Sequence, residues 1–204
     1  MTTLYYVVDP MCSWCYAFAP TWKKLLLQLP NSLHIKYVMG GLAPHSDEPM
    51  PEAMQKMLQN TWKSIHEQVG TEFNFDFWTK CKPRRSTYLA CQACISARKQ
   101  NLEYEMIQNI QEFYYKKASN PSDKDTLINA ALLIKNMDIE KFSNDLENAD
   151  TVEQFNKDLL KSNSLQVRGF PSLFLKKDED LYPIPIDYKS VSKNLLSIKE
   201  ILKS

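Results

Sequence analysis

No run of about 18 apolar residues occurs anywhere in the 204-residue chain, so the sequence offers no membrane-spanning helix. The start, MTTLYYVVDP, has no basic n-region and no apolar stretch of signal-peptide length. A cytoplasmic protein is therefore expected, in a compartment that holds thiols reduced. An excess of one charge is also missing. Lys and Arg number 25 and Asp and Glu 24, and a net charge of +1 gives no reason to expect nucleic acid or a membrane surface as partner. The one short basic run, Lys82-Pro83-Arg84-Arg85-Ser86, reads as solvated. The three histidines, His34, His45 and His66, are scattered without metal-ligand spacing. Five cysteines are an odd count for a secreted disulfide framework. There is no internal repeat and no low-complexity linker.

What is present can bury a core: 44% of the residues are apolar and 11% aromatic, enough for one large domain or one domain with an insertion. Leu4 to Val8 reads as a buried strand ended by Asp9-Pro10. Phe18, Trp22, Leu25, Leu26 and Leu29 recur at steps of three and four, one apolar helix face ended by Pro30-Asn31. Leu33 to Met39 reads as a second strand, closing a right-handed βαβ unit with parallel strands. From residue 42 to 163 strand signals almost vanish. Pro51 suits a first helical turn. Met54, Met57, Leu58, Trp62 and Ile65 follow at helical spacing, and the Met54, Met57 and Trp62 stripe reads as core. Ser86 to Gln100, Glu103 to Lys116, and segments around Leu127, Phe142 and Phe155 continue the pattern, the last behind an apparent capping box of Asp150 and Glu153. Strand character returns at Pro171 to Leu175. Leu181 to Ile186, with Pro183 and Pro185, reads as a short or edge partner. Ser190 can cap a last helix.

The chemistry concentrates in MCSWCYAFAP, residues 11 to 20, where a strand ends and a helix begins. The free N–H groups of a first helical turn and the helix dipole stabilise an anion, so this position favours the thiolate of Cys12. Cys15, one turn on, is placed to resolve a mixed disulfide formed at Cys12. Cys12, Cys15, Ala19 and Pro20, as C-x-x-C-x-x-x-A-P, resemble the active-site helix of the thioredoxin fold. Arg168-Gly169-Phe170-Pro171-Ser172 is similar to the loop before the third strand of that fold, where a cis-proline lies beside the catalytic cysteine. The helical stretch between the βαβ and ββα halves resembles that of the DsbA family. Asp9 to Tyr16, as D-P-x-C-x-W-C-Y, looks most like its FrnE-like branch. The resemblance runs through nearly the whole chain in element order.

The resemblance implies an α/β thioredoxin fold (βαβ…ββα) at residues 1–41 and 164–204 with an inserted all-helical domain at 42–163. It implies a thiol–disulfide oxidoreductase with Cys12 as nucleophile and Cys15 as resolving thiol. Ser13, Trp14, Phe170 and Pro171 are the expected substrate-binding residues, and the Phe170–Pro171 bond is expected to be cis. The substrates implied are cysteine-containing proteins or peptides, or small disulfides. No metal or organic cofactor is expected; electrons would come from a partner thiol system or glutathione, and net reduction or isomerisation is expected in a reducing cytosol.

Other readings compete. A second C-x-x-C, Cys91 and Cys94, formally completes a zinc pattern, but with 75 residues between the pairs and inside a helix, where core packing is the expectation. Cys81 reads as a partly exposed free thiol. Asp9 reads as a turn residue before Pro10, with a buried acid tuning the cysteines as the alternative. The 2-hydroxychromene-2-carboxylate isomerase and kappa-class glutathione transferase group shares the overall architecture. Those proteins carry serine at the helix start, so Cys12 and Cys15 count against that reading. A non-catalytic peptide-binding protein is the third alternative.

Overall fold

The computed structural model describes residues 2–203. The first unit is β1 (Thr3–Val8), α1 (Ser13–Leu26) and β2 (His34–Met39), and the last is β3 (Ser172–Lys177), β4 (Asp180–Ile184) and α9 (Ser192–Lys203). Between β2 and β3 come α2 (Glu52–Val69), α3 (Phe77–Lys80), α4 (Tyr88–Arg98), α5 (Glu103–Tyr115), α6 (Lys124–Ala131), α7 (Ile139–Asp145) and α8 (Ala149–Ser164). One mixed sheet runs in the order β2-β1-β3-β4. β1 is parallel to β2 from Thr3↔His34 to Val8↔Met39, antiparallel to β3, and β3 is antiparallel to β4. This is the thioredoxin fold with helices inserted between its two halves.

The apolar run of β1 is continuous because the strand is central and covered on both faces. Tyr6 meets Trp22 of α1 with ring centroids 4.6 Å apart, and Phe18 lies edge-on at 6.0 Å. On the other face Val7 and Val38 pack with Leu165 and Phe170. β4 lies at an edge and tolerates Pro183, which lacks a ladder donor.

The helical part is tied to the sheet through Arg98 at the end of α4. Its guanidinium donates to Asp158 Oδ2 of α8 and Glu103 Oε1 of α5, each at 2.6 Å, and to the Tyr37 carbonyl of β2 at 3.2 Å. Asp158 Oδ2 also accepts the Met39 N–H at 2.8 Å. One cation thus serves two buried carboxylates, and burial pushes the Glu103 carboxyl up to about 7 against the pull of Arg98.

Several details differ from the sequence reading. The cap of α8 is Asn148, whose side chain accepts the Thr151 N–H; Asp150 is the second residue of the helix and pairs with Lys99 instead. Pro51 is the N-cap residue of α2, one position before the first turn. The Met54, Met57 and Trp62 stripe splits: Trp62 is buried, Met54 half-buried and Met57 exposed. The short α3 falls among aromatics that gave no periodicity to read.

Candidate active site

Asp9-Pro10-Met11 turns the chain from β1 into α1, and Cys12 is the N-cap residue of that helix. The turn is held from three sides. Cys12 N–H donates to the Asp9 carbonyl at 3.0 Å, Met11 N–H to Asp9 Oδ1 at 2.8 Å, and the Tyr115 hydroxyl to the Met11 carbonyl at 2.7 Å. Cys15 sits one turn in with no exposed surface, whereas Cys12 keeps 8% and lines a cavity. Burial, then the Cys12 side chain, pushes the Cys15 thiol well above the ordinary thiol range. No disulfide joins the two sulfurs in this structure.

The loop before β3 arrives on the other side of Cys12. The Phe170–Pro171 bond is cis, as expected. The Cys12 thiol donates to the Phe170 carbonyl at 3.5 Å, across 158 residues of sequence. The loop is closed by the Ser172 hydroxyl, which donates to the Gly169 carbonyl at 2.7 Å. The Phe170 ring lies over Gly40, so close that a Cβ there would fall 2.2 Å from ring carbon Cε1. Ser13 and Trp14 are half-buried and line the same cavity; the Trp14 ring meets Tyr188 at 5.0 Å. Pro171 is buried under the loop.

The cavity in front of Cys12 holds about 490 Å³. Its apolar wall includes Leu42, Met50, Leu58 and Trp62 from the inserted segment, and its polar groups include Thr87, Arg84, Arg85 and Arg168. Three of these were read differently or passed over. Lys82 and Arg85 are exposed, as a solvated run would be, but Arg84 and Arg85 also line the cavity, and Arg84 is half-buried and anchored by Asp123 and the Ser122 carbonyl. Arg168 precedes the Gly169-Phe170-Pro171 loop and had been read only as part of that motif. The signal that could have found them is rarity, since the chain has only four arginines, Arg84, Arg85, Arg98 and Arg168, against 21 lysines.

Asp9 is more than a turn residue. It is fully buried and accepts from Met11 N–H, Leu42 N–H (2.7 Å), Thr87 Oγ1 (2.7 Å) and Cys91 Sγ (3.6 Å). Burial raises its carboxyl above the usual range, partly offset by those hydrogen bonds. It therefore ties the cysteine turn to the start of the inserted segment and to α4. Cys91 and Cys94 are both fully buried in α4, where burial pushes their thiols well up. Cys81 is half-buried and donates to the Ala118 carbonyl at 3.0 Å. Among the described residues no group of three or more His, Cys, Asp or Glu side chains could hold a metal ion, and no helix is long and apolar enough to cross a membrane.

A family model described as Thioredoxin matches residues 5–184. Among curated proteins, the "ClpXP adapter protein SpxH" of Halalkalibacterium halodurans is 22% identical over 181 residues, which is 86% of this chain and 58% of that protein. The chain thus spans somewhat over half the length of the first curated relatives it matches. Among solved structures, a Nitrosomonas europaea protein provisionally described as a protein disulfide isomerase superposes with a TM-score of 0.87 at 21% identity, covering 99% of this chain and 98% of that one. The "Cytosolic disulfide reductase DsbM from Pseudomonas aeruginosa" gives 0.80 at 19% identity, covering 98% of each chain. A second structure of that reductase, with GSH, gives 0.78 at 18% identity, covering 99% of this chain and all of the other. At these identities the likeness is one of fold.

Proposed function

The chain belongs to the thioredoxin family, and from that premise we propose that it is a thiol–disulfide oxidoreductase working through Cys12 and Cys15. The observation that carries this is the asymmetry of the pair. Cys12 faces the cavity at a helix N-cap with the Phe170 carbonyl beside its sulfur, and Cys15 lies sealed one turn behind.

In the reductive direction the Cys12 thiolate attacks one sulfur of a disulfide RS–SR′. A Cys12–SR bond forms, the S–S bond breaks, and R′S⁻ leaves and takes a proton. Cys15 then gives up its proton and attacks the Cys12 sulfur, RS⁻ leaves, and the Cys12–Cys15 disulfide forms. The substrate has gained two electrons, and two thiols of a reductant restore the pair. The high cost of ionising Cys15 keeps it a thiol until the mixed disulfide is in place. Phe170 and Pro171 form the seat, the Phe170 backbone pairing with an extended substrate segment. Ser13 and Trp14 complete it. The substrates are cysteine-containing proteins or peptides or small disulfides. A thiol system or glutathione supplies electrons, in a cytosolic setting like the one named for the DsbM structures.

The test is reduction of insulin disulfides by the native protein with dithiothreitol. Turnover that disappears in Cys12→Ser supports the reading; turnover equal to that of dithiothreitol alone, or unchanged in Cys12→Ser, sinks it. The curated relatives described as ClpXP adapter proteins favour a second reading, a binding protein with the cysteine pair as a redox gate. That reading expects no insulin reduction and partner binding that survives Cys12→Ser.

A further inference from the structure

Arginine is used sparingly in this chain, and its placement is not random. Of the 25 basic residues 21 are lysines; three of the four arginines line the cavity at Cys12 and no lysine does. The fourth, Arg98, holds two buried carboxylates. Arginine differs from lysine in its planar fork of donors, which matches a carboxylate with two parallel hydrogen bonds. The cavity contains no Asp or Glu among its lining residues. Asp9, the carboxyl behind the wall, is turned into the protein and bonded to Met11, Leu42, Thr87 and Cys91.

The three cavity arginines are not equivalent. Arg84 is held by Asp123 and the Ser122 carbonyl. Arg85 and Arg168 have no acidic partner among the described residues, and both are exposed. Arg85 comes from the inserted segment, just before α4. Arg168 comes from the loop that also supplies Phe170. Two unneutralised guanidinium groups thus reach one cavity from opposite parts of the chain, with Cys12 on its wall and apolar side chains behind. A cavity of about 490 Å³ lies in the range of small-molecule sites. Low-dielectric walls of one charge sign concentrate counter-charged ligands.

We infer that this cavity recognises a small thiol or disulfide carrying at least two carboxylates, with Arg85 and Arg168 as its carboxylate-binding residues. The sulfur of the ligand reaches Cys12 while the carboxylates meet the two forks. The inference rests on the oxidoreductase reading only for the presence of sulfur in the ligand; the charge preference stands on the arginines alone. It makes the site selective for acidic low-molecular-weight disulfides over uncharged or cationic ones of the same size.

The test is calorimetric titration of the native chain with S-methylglutathione, a thioether that cannot exchange, and with its diethyl ester, in which both carboxylates are masked. The acid should bind at least about tenfold more tightly than the ester, the scale expected for losing a charge-assisted hydrogen bond. Arg85→Gln and Arg168→Gln should each weaken the acid about tenfold while barely moving the ester. Arg85→Lys and Arg168→Lys should recover only part, because lysine keeps the charge and loses the fork. Equal binding of acid and ester, no binding of the acid, or Gln variants that bind the acid as the native chain does would each overturn the inference. Binding of a thioether needs no electron transfer, so the titration reads the same whether or not the insulin assay succeeds. Failure here leaves reduction of an uncharged disulfide standing.

Discussion

Gly40 is the position where the smallest change should do the most to the site. It follows β2, its N–H donates to the Val8 carbonyl at 2.8 Å, and the Phe170 ring lies directly over its α-carbon. A Cβ added there would fall 2.2, 2.4 and 2.8 Å from three ring carbons of Phe170. Carbon atoms pack at about 3.5–4.0 Å, so the ring must move by about 1 Å or more. It cannot move freely, because it packs with Val7, Val38 and Leu165. Overpacking of this kind costs about 1–3 kcal/mol. The Phe170 carbonyl is the partner of the Cys12 thiol, so a displaced ring pulls on the reacting group. A misplacement of about 1 Å at a reacting centre can cost as much as 10²-fold in rate, and about tenfold is expected for Gly40→Ala. Gly169→Ala is the control for stability: it adds the same methyl next to Phe170, where no atom beyond the adjoining residues lies within 4 Å. Urea unfolding gives the stability term, and stopped-flow reaction of the reduced pair with a small disulfide gives the rate. Gly40→Ala within about 0.5 kcal/mol of native and reacting at the native rate would show that the Gly40–Phe170 contact does not position Cys12.

Other outcomes follow from the same structure. Arg98→Ala leaves Glu103 and Asp158 buried without their cation and should cost about 3–5 kcal/mol in urea unfolding. Glu103 has a folded-state pKa raised from 4.5 to about 7, so the folded state binds the extra proton; stability should fall as pH rises through that window, and Glu103→Gln should flatten the slope between pH 4.5 and 7. Asp9 is raised for the same reason of burial, and Asp9→Asn should remove a further loss of stability above the ordinary carboxylate range. Cys91→Ala with Cys94→Ala should cost about 1 kcal/mol per residue from lost packing and leave insulin reduction largely intact; loss of activity without loss of stability would mean that the second pair takes part in the chemistry.

The parts of the site legible in sequence were those with a local signature. Cys12 and Cys15 announce a strand-to-helix turn by their spacing, and Gly169-Phe170-Pro171 reads as the entry to β3. The groups that were missed, or given the lesser of two readings as Asp9 was, act at a distance. Asp9 followed by proline looks like a turn anywhere, and only the fold brings Leu42, Thr87 and Cys91 to it, 33, 78 and 82 residues away. Arg84 and Arg85 look like any short basic run until the inserted segment carries them to the cysteine turn. The strands and long helices were readable because burial imposes a period on them. The cap of α8 was misplaced because Asn148 and Asp150 are equally good capping residues; in the fold Asn148 has the extended backbone of a cap and its side chain accepts the Thr151 N–H.

The central claim is the division of labour between Cys12 and Cys15, and covalent trapping tests it most directly. Each single serine variant is mixed with a glutathione-derived or peptide disulfide, quenched in acid and read by intact mass and peptide mapping. Cys15→Ser should accumulate a mixed disulfide on Cys12, because the attacking sulfur faces the cavity and the resolving one is gone. Cys12→Ser should accumulate none at Cys15, which has no exposed surface. Adducts on Cys15, equal trapping by both variants, or no adduct on Cys12 in Cys15→Ser would contradict the account.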